Sequence, residues 1–353
     1  MRRRSVRAAS IGAVALVLGF AGCGGAEDPP KPRPAAATET RLPGAELFAV
    51  DSVWNAPLPA DAPVDPASPR LMAALKQEAE RERLARNGPW IQTSSYSTPI
   101  YRVPADQATV PVVLDNTRSW ARTLSRALRA VPIPPDAQPA AGTDAQMTIW
   151  QPSTDRLWEL WKARREGDEW HAAWGGAIER VSQSPGYYTA DSWPGARSFW
   201  GATATSLPVA AGTMTLAELE RGRIDHALAL NLPSLRADAY TPPAQRTDGE
   251  DADPDSIPAG AHLRIDPRLD VRSLYLPRLT EMMALAAQRY GMIVRDQTHH
   301  AIGFFAEDPT PTGRSPYRAL MDYRYPNELL ARFPWDRVQI LRMDVRYGTG
   351  RPR

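Results

Sequence analysis

Thirty-five prolines are spread through a chain of 353 residues, and they limit its fold more than any other feature. Proline lacks the amide proton that a helix interior needs, and its ring clashes with the preceding turn, so long helices are excluded over most of the length. What remains are short strands joined by Pro-rich loops, with a few helices where proline is sparse. Four segments have helical apolar spacing or caps: Pro69–Asn87, Arg118–Ala130, Thr215–Arg221 and Leu276–Tyr290. Thr215 stands three residues before Glu218, the pattern of a capping box, and Gly222 ends that helix.

Strands are expected at Trp90–Thr93, Val110–Leu114, Met147–Gln151, Leu157–Ala163, Trp170–Val181, His226–Leu232, His262–Ile265, Met292–Arg295, Ala301–Ala306 and Val338–Val345. The expected class is mainly β, a β-rich α+β fold. Its architecture is expected to be an antiparallel β-sandwich of the jelly-roll kind, with a few peripheral helices. The acidic, Pro-rich run Ser234–Pro258 reads as a surface excursion.

The N-terminus belongs to transport. MRRRSVR is a basic head, and IGAVALVLGF is an apolar run too short for a stable membrane span. With AGC after it, the segment resembles a bacterial lipoprotein signal in which Phe20 stands where leucine is usual. The resemblance implies cleavage before Cys23 and diacylglycerol on its sulfur, and an ordinary secretory peptide is the alternative. Cys23 is the only cysteine, so the folded part holds together without disulfides.

Residues 1–22 are therefore expected to be a leader, 23–42 a disordered tether and 43–353 one β-rich domain. The expected location is the extracytoplasmic face of the cell membrane, with the membrane itself a partner through the lipid. Without the four arginines of residues 1–22, Lys and Arg number 38 against 40 Asp and Glu. The mature chain then carries about −2, and no basic stripe for nucleic acid is present.

Six motifs in one order resemble an uncharacterised family of secreted bacterial proteins. They are PIPPDA (Pro132–Ala137), WELW (Trp158–Trp161), WGATATSLPVAAGTMTLAEL (Trp200–Leu219), GRIDHALAL (Gly222–Leu230), IPAGAHLRID (Ile257–Asp266) and RYGMIVRD (Arg289–Asp296). The resemblance implies kinship and no particular chemistry. WELW is also similar to strands of jelly-roll glucanases that carry a catalytic Glu between apolar residues.

Seven of the eleven tryptophans fall between Trp150 and Trp200. Along a strand, alternation puts Leu157, Glu159 and Trp161 on one face, and a turn at Arg164–Glu169 would bring Trp174 opposite Glu159 with Trp170 on the same parity. Indoles stack on sugar faces, and their desolvation raises a carboxyl toward general-acid range. The expected reading is a glycoside hydrolase with Glu159 as acid or nucleophile, Asp144 or Asp155 as its partner, and Trp161, Trp174 and Trp170 lining the sugar site.

His226 is a second catalytic candidate, expected on the inward face of Leu228, Leu230 and Leu232. Gln245 and Arg246 are candidates for holding an acidic sugar, which with His226 as base would make a polysaccharide lyase. Alternatively the same aromatic surface would bind cell-wall glycan without an acid pair, in a non-catalytic glycan-binding or envelope-scaffold lipoprotein, or the tryptophans would fill a core in which Glu159 pairs with an arginine such as Arg264 or Arg246. His299-His300 is expected on the turn between Met292–Arg295 and Ala301–Ala306 and does not make a metal site alone. Serine-hydrolase elbows, HExxH, Walker A and dinucleotide motifs are absent, and nothing in the sequence calls for a cofactor or a metal.

Overall fold

The computed structural model describes residues 47–197 and 200–348. The leader, Cys23 and the tether lie outside the described residues. Trp90–Gln92, Gly303–Phe305, Leu228–Leu232, Met292–Gln297, His262–Ile265 and Val338–Ile340 form, in that spatial order, a six-stranded sheet. Alternation gives each strand two apolar faces with different partners. Leu228, Leu230, Leu232, Met292, Val294 and Phe304 join one core. Ala227, Ala229, Ile293 and Phe305 join another.

Helices cover the first face. Arg278–Arg289 buries Leu279, Met282, Met283, Ala286 and Ala287, spaced as one face of a 3.6-residue helix, and Ser68–Ala85 buries Leu71, Met72, Leu75 and Ala79 in the same way. Each fully buried Leu or Met contributes roughly 1.5–3 kcal/mol of transfer free energy, so the two stripes secure that layer. Both helices were legible from periodicity. The short helix Leu216–Arg221 has the expected capping box between Thr215 and Glu218, and Gly222 closes it in a left-handed conformation. Around Arg118–Ala130 the helix is shorter than expected, a 3-10 turn at Ser119–Ala121 followed by Arg122–Ala127.

Against the second face packs another β body. Ile100–Arg102, Met147–Gln151, Arg156–Trp161 and Trp174–Glu179 form a four-stranded sheet, and Val112–Leu114, Glu169–Ala172 and Arg164–Glu166 a three-stranded one. Met147, Ile149, Leu157, Leu160 and Trp158 fill the core between them and the larger sheet's alanines.

The fold is thus β-rich α+β with mixed sheets, and it departs from the antiparallel jelly roll expected. Four pairings are parallel: Trp90–Gln92 with Gly303–Phe305, Leu228–Leu232 with Met292–Gln297, Ile100–Arg102 with Met147–Gln151, and Val112–Leu114 with Glu169–Ala172. Polar–apolar alternation marks a strand's faces and carries no record of its direction, so such pairs are invisible in it.

The tryptophan hairpin also differs in register. Its turn is Gly167-Asp168, with Gly167 at φ +60°, and Arg164–Glu166 pairs with Glu169–Ala172 around it. The expected strand Trp170–Val181 is two strands in different sheets, interrupted at Ala173. Trp161 consequently lies opposite Trp174, and Glu159 opposite Gly176. The shift is two residues, so face parity survives while the partner changes.

Candidate functional site

Glu159 occupies a central strand of the four-stranded sheet and has no solvent exposure. Its Oε1 accepts from the Ala210 amide at 2.8 Å, and its Oε2 accepts from the Val209 amide at 2.8 Å and the Tyr188 hydroxyl at 2.8 Å. Gly176, directly across the ladder, makes room for that hydroxyl: a Cβ there would collide with the Tyr188 phenol. Burial pushes the Glu159 carboxyl up, opposed by the two amides, the Tyr188 hydroxyl and the charge of Arg295.

Arg295 completes the arrangement from the other sheet. Fully buried and stacked on Phe305 at 3.6 Å, it donates through Nη1 to the carbonyls of Val209 and Ala211. One carboxylate therefore takes the amides of the segment Val209–Ala211, and one guanidinium takes its carbonyls. This corrects the catalytic role expected for Glu159: its lone pairs are engaged and no substrate reaches it. The cationic partner is Arg295, whereas Arg264 donates to the carbonyls of Pro59, Ala60 and Ala62.

Arg295 also marks a β-bulge. Val294 pairs with Leu230 and Asp296 with Asn231, leaving Arg295 as the extra residue. The bulge resets alternation, so Asp296 joins Asn231 on the face that looks toward the second β body instead of turning under the helices. Asp296 is half-buried, and its Oδ1 accepts from the amide of Gln297 at 3.0 Å. Burial and the charges of Asp248 and Asp144 push its carboxyl up to about 7, against the pull of Arg295.

A run of contacts links Asp144 to Asp248, the two carboxylates whose charges act on this carboxyl. Asp144, half-buried, accepts from Trp161 Nε1 at 3.1 Å. Trp161 is the cross-strand partner of Trp174, whose ring lies 5.6 Å from Trp200 and 5.2 Å from Trp120. Trp200 leads into Gly201 and Thr203, whose carbonyls accept from Arg246 Nη2 at 3.1 and 2.5 Å. Two residues beyond Arg246 stands Asp248, whose charge acts on Asp296. Trp120, with 39 % of its surface exposed, gives the run an aromatic edge in solvent.

The other expected residues are placed elsewhere or serve differently. Trp170 is buried in the three-stranded sheet and reaches no cleft, a consequence of the split strand. Asp155 is a left-handed turn residue whose carboxylate accepts from the amide and hydroxyl of Ser182. It lies before Arg156, at the far end of the strand from Trp161, roughly 17–20 Å away. Gln245 donates to the Tyr188 carbonyl at 2.6 Å, and like Arg246 it secures main chain.

His226 precedes the strand Leu228–Leu232 and sits at the opposite end from Asn231 and Asp296, about one strand length of 16 Å. Its Nε2 lies 3.0 Å from Glu218 Oε2. Although burial raises Glu218, His226 and Thr215 bring it down to about 2, so the pair braces the capped helix. Asp296 and Trp120 were not among the expected site residues. The available clue to Asp296 was a doublet of charges, Arg295-Asp296, closing the apolar run MIV: strict alternation would send one of the two into the helical core.

No protein-family model matches the chain, and neither a curated protein nor a solved structure matches it. The class defined by fold and site is a β-rich α+β protein with a half-buried, raised carboxyl at Asp296 and a cluster of contacting indoles at Trp120, Trp174 and Trp200.

Proposed function

We propose that the protein is a cell-surface lipoprotein that hydrolyses glycosidic bonds, with Asp296 as general acid and Asp144 as its carboxylate partner. The observation that carries the reading is the half-buried Asp296 carboxyl pressed by neighbouring carboxylates beside an indole rim. A carboxyl pushed up by burial and neighbouring charge can serve as an acid, and glycoside hydrolysis uses such an acid beside a second carboxylate. Trp161, Trp174 and Trp120 would take the sugar faces, and the lipid on Cys23 with its tether would hold the domain at the extracytoplasmic membrane surface.

This reading does not lean on the likeness of WELW to jelly-roll glucanases, because Glu159 is spent on main chain. A lyase finds little support: His226 is bound to Glu218, Arg246 holds carbonyls, and the carboxylates would repel a uronate. Asp296→Asn and Asp144→Asn should each lower reducing-end release from cell-wall glycan by about 10²–10⁴-fold. Activity of the unmodified protein should fall as pH rises through about 7, where Asp296 gives up its proton. Full activity in both variants would refute the assignment. A second reading, glycan binding without cleavage, is favoured by the contacting indoles Trp120, Trp174 and Trp200. It requires affinity unchanged by Asp296→Asn and no cleavage of any polymer.

A further inference from the structure

A row of guanidiniums stands on the surface beside the indoles. From Asn116 to Pro135 the chain carries four arginines, Arg118, Arg122, Arg126 and Arg129, and no Asp or Glu. The 3-10 turn Ser119–Ala121 and the helix Arg122–Ala127 wind this stretch into one short rod, which buries Ala121, Leu124 and Leu128 on its inner side. At 3.6 residues per turn, Arg122, Arg126 and Arg129 fall within an arc of about 60° on the outer side, and all four arginines are exposed. Scattered in the sequence, they become a row only when the helix gathers them.

Several exposed arginines elsewhere in the fold have carboxylate partners. On the helix Ser68–Ala85, Arg81 pairs with Glu78 and Arg83 with Glu80, each three residues earlier. In the second β body Asp115 is held by Arg164 and Glu179 by Arg156. Among the described residues no carboxylate pairs with any of the four arginines of the row, and Arg122 Nε donates to the Ser119 carbonyl at 3.2 Å. Like charges one turn apart repel, so a bare row is a cost that an anionic ligand would offset.

The row also has a direction. Trp120, at its start, lies 5.2 Å from Trp174, the cross-strand partner of the Trp161 that donates to Asp144. Near its end the Ala127 carbonyl accepts from Trp158 Nε1 at 3.2 Å. The helix therefore follows the strand Arg156–Trp161 backwards, from Trp161 toward Trp158, and its arginines recede from Asp144. Gly195 packs on Thr123, where a Cβ would collide with the threonine methyl, and this contact brings Arg197, 5.7 Å over the Trp200 ring, to the flank of the row.

We propose that this row is an exosite for an acidic polysaccharide, a chain with carboxylate-bearing sugars outside the bond that Asp296 and Asp144 would act on. The inference rests on the glycan reading above for its sugar and not for cleavage. Guanidinium forks take carboxylates in bidentate pairs, and the exposed Trp120 takes a sugar face where the row begins. Asp144 repels an acidic sugar that the arginines attract, so the chain that suits both mixes neutral and acidic units.

The test is calorimetric titration of the full-length protein, at about pH 7 and low salt, with polygalacturonate and with its fully methyl-esterified form, which keeps the rings and loses the charge. The acidic polymer should bind at least about ten-fold tighter than the ester. Arg122→Gln with Arg126→Gln, exposed changes to a good helix former, should weaken the acidic polymer about three- to ten-fold and leave the ester unchanged. Arg318→Gln with Arg324→Gln removes the same charge beside Tyr317 and Leu329 of the helix-covered core and should change neither. Failure of polygalacturonate to bind, equal binding of the two forms, or an equal loss in both variant pairs overturns the inference. Binding to anionic phospholipid vesicles that falls in the Arg122/Arg126 pair, with polygalacturonate binding unaffected, overturns it in favour of a lipid surface. The hydrolase reading fails separately, if Asp296→Asn and Asp144→Asn keep full activity on a neutral glycan.

Discussion

Replacing Asp296 with asparagine should lower the proposed hydrolysis by about 10²–10⁴-fold and yet make the protein more stable at neutral and alkaline pH. The Asp296 carboxyl is raised from 3.8 to about 7, chiefly by burial and by Asp248. Between about pH 4 and pH 7 the folded state therefore holds a proton that the unfolded state has released. A state that binds more protons is favoured at low pH, so folding stability falls as pH rises through this window and is constant above it. Three pKa units correspond to about 4 kcal/mol, and screening at a half-buried site reduces this to about 2 kcal/mol.

Asparagine keeps the oxygen that accepts from the Gln297 amide and has no proton to lose. Urea unfolding followed by tryptophan fluorescence gives the comparison. The variant should match the wild-type chain at about pH 4 and exceed it by about 2 kcal/mol at about pH 8. A difference that does not change with pH, or a variant less stable at the alkaline end, would show that the carboxyl is not strained as described.

Two further substitutions separate structural carboxylates from this one. Glu159→Gln turns an amide donor toward the Val209 and Ala210 amides and the Tyr188 hydroxyl, so it should destabilise by about 1–3 kcal/mol and lower the melting temperature by about 2–6 °C in calorimetry. Glu82 is 3 % exposed, accepts only from the Ile302 amide at 2.8 Å, leaves Oε2 unpartnered, and is pushed by burial up to about 7. Stability tied to its proton is present below about pH 4 and lost as pH rises to about 7. Glu82→Gln should therefore gain about 1 kcal/mol at about pH 8 and nothing at about pH 4 in the same urea assay.

Periodicity was reliable where one face of an element meets one core. Helix Arg278–Arg289, the capping box at Thr215 and strands such as Met147–Gln151 and His262–Ile265 fall close to where apolar spacing placed them. Pairing was not legible, because Trp90–Gln92 finds Gly303–Phe305 across more than two hundred residues and alternation records neither partner nor direction. The hairpin register failed for a local reason. Gly167-Asp168 is a two-residue turn of the favoured kind, centred one residue beyond the turn expected at Arg164–Glu169. Of the expected site residues, Asp144, Trp161 and Trp174 are brought together, while Gln245 and Arg246 hold main chain.

Glu159 and Asp296 posed the same question in the sequence: each is a carboxylate on an otherwise apolar strand, costly unless paired or used. What separates them is the supply of donors. Those for Glu159 arrive fifty residues later on Val209 and Ala210, in a stretch without periodicity, where no pattern announces them. Asp296 has the Gln297 amide, and the charges of Asp248 and Asp144 act on it against the pull of Arg295. The two are nevertheless linked through the bulge. Arg295 is held at its guanidinium by Val209 and Ala211, and at its carbonyl by the Thr205 hydroxyl at 2.5 Å. Glu159 grips the same segment from the opposite sheet, so it fixes the loop that fixes the bulge, and the bulge sets which face Asp296 presents. Glu159 therefore acts on Asp296 from the opposite sheet, through the loop and the bulge.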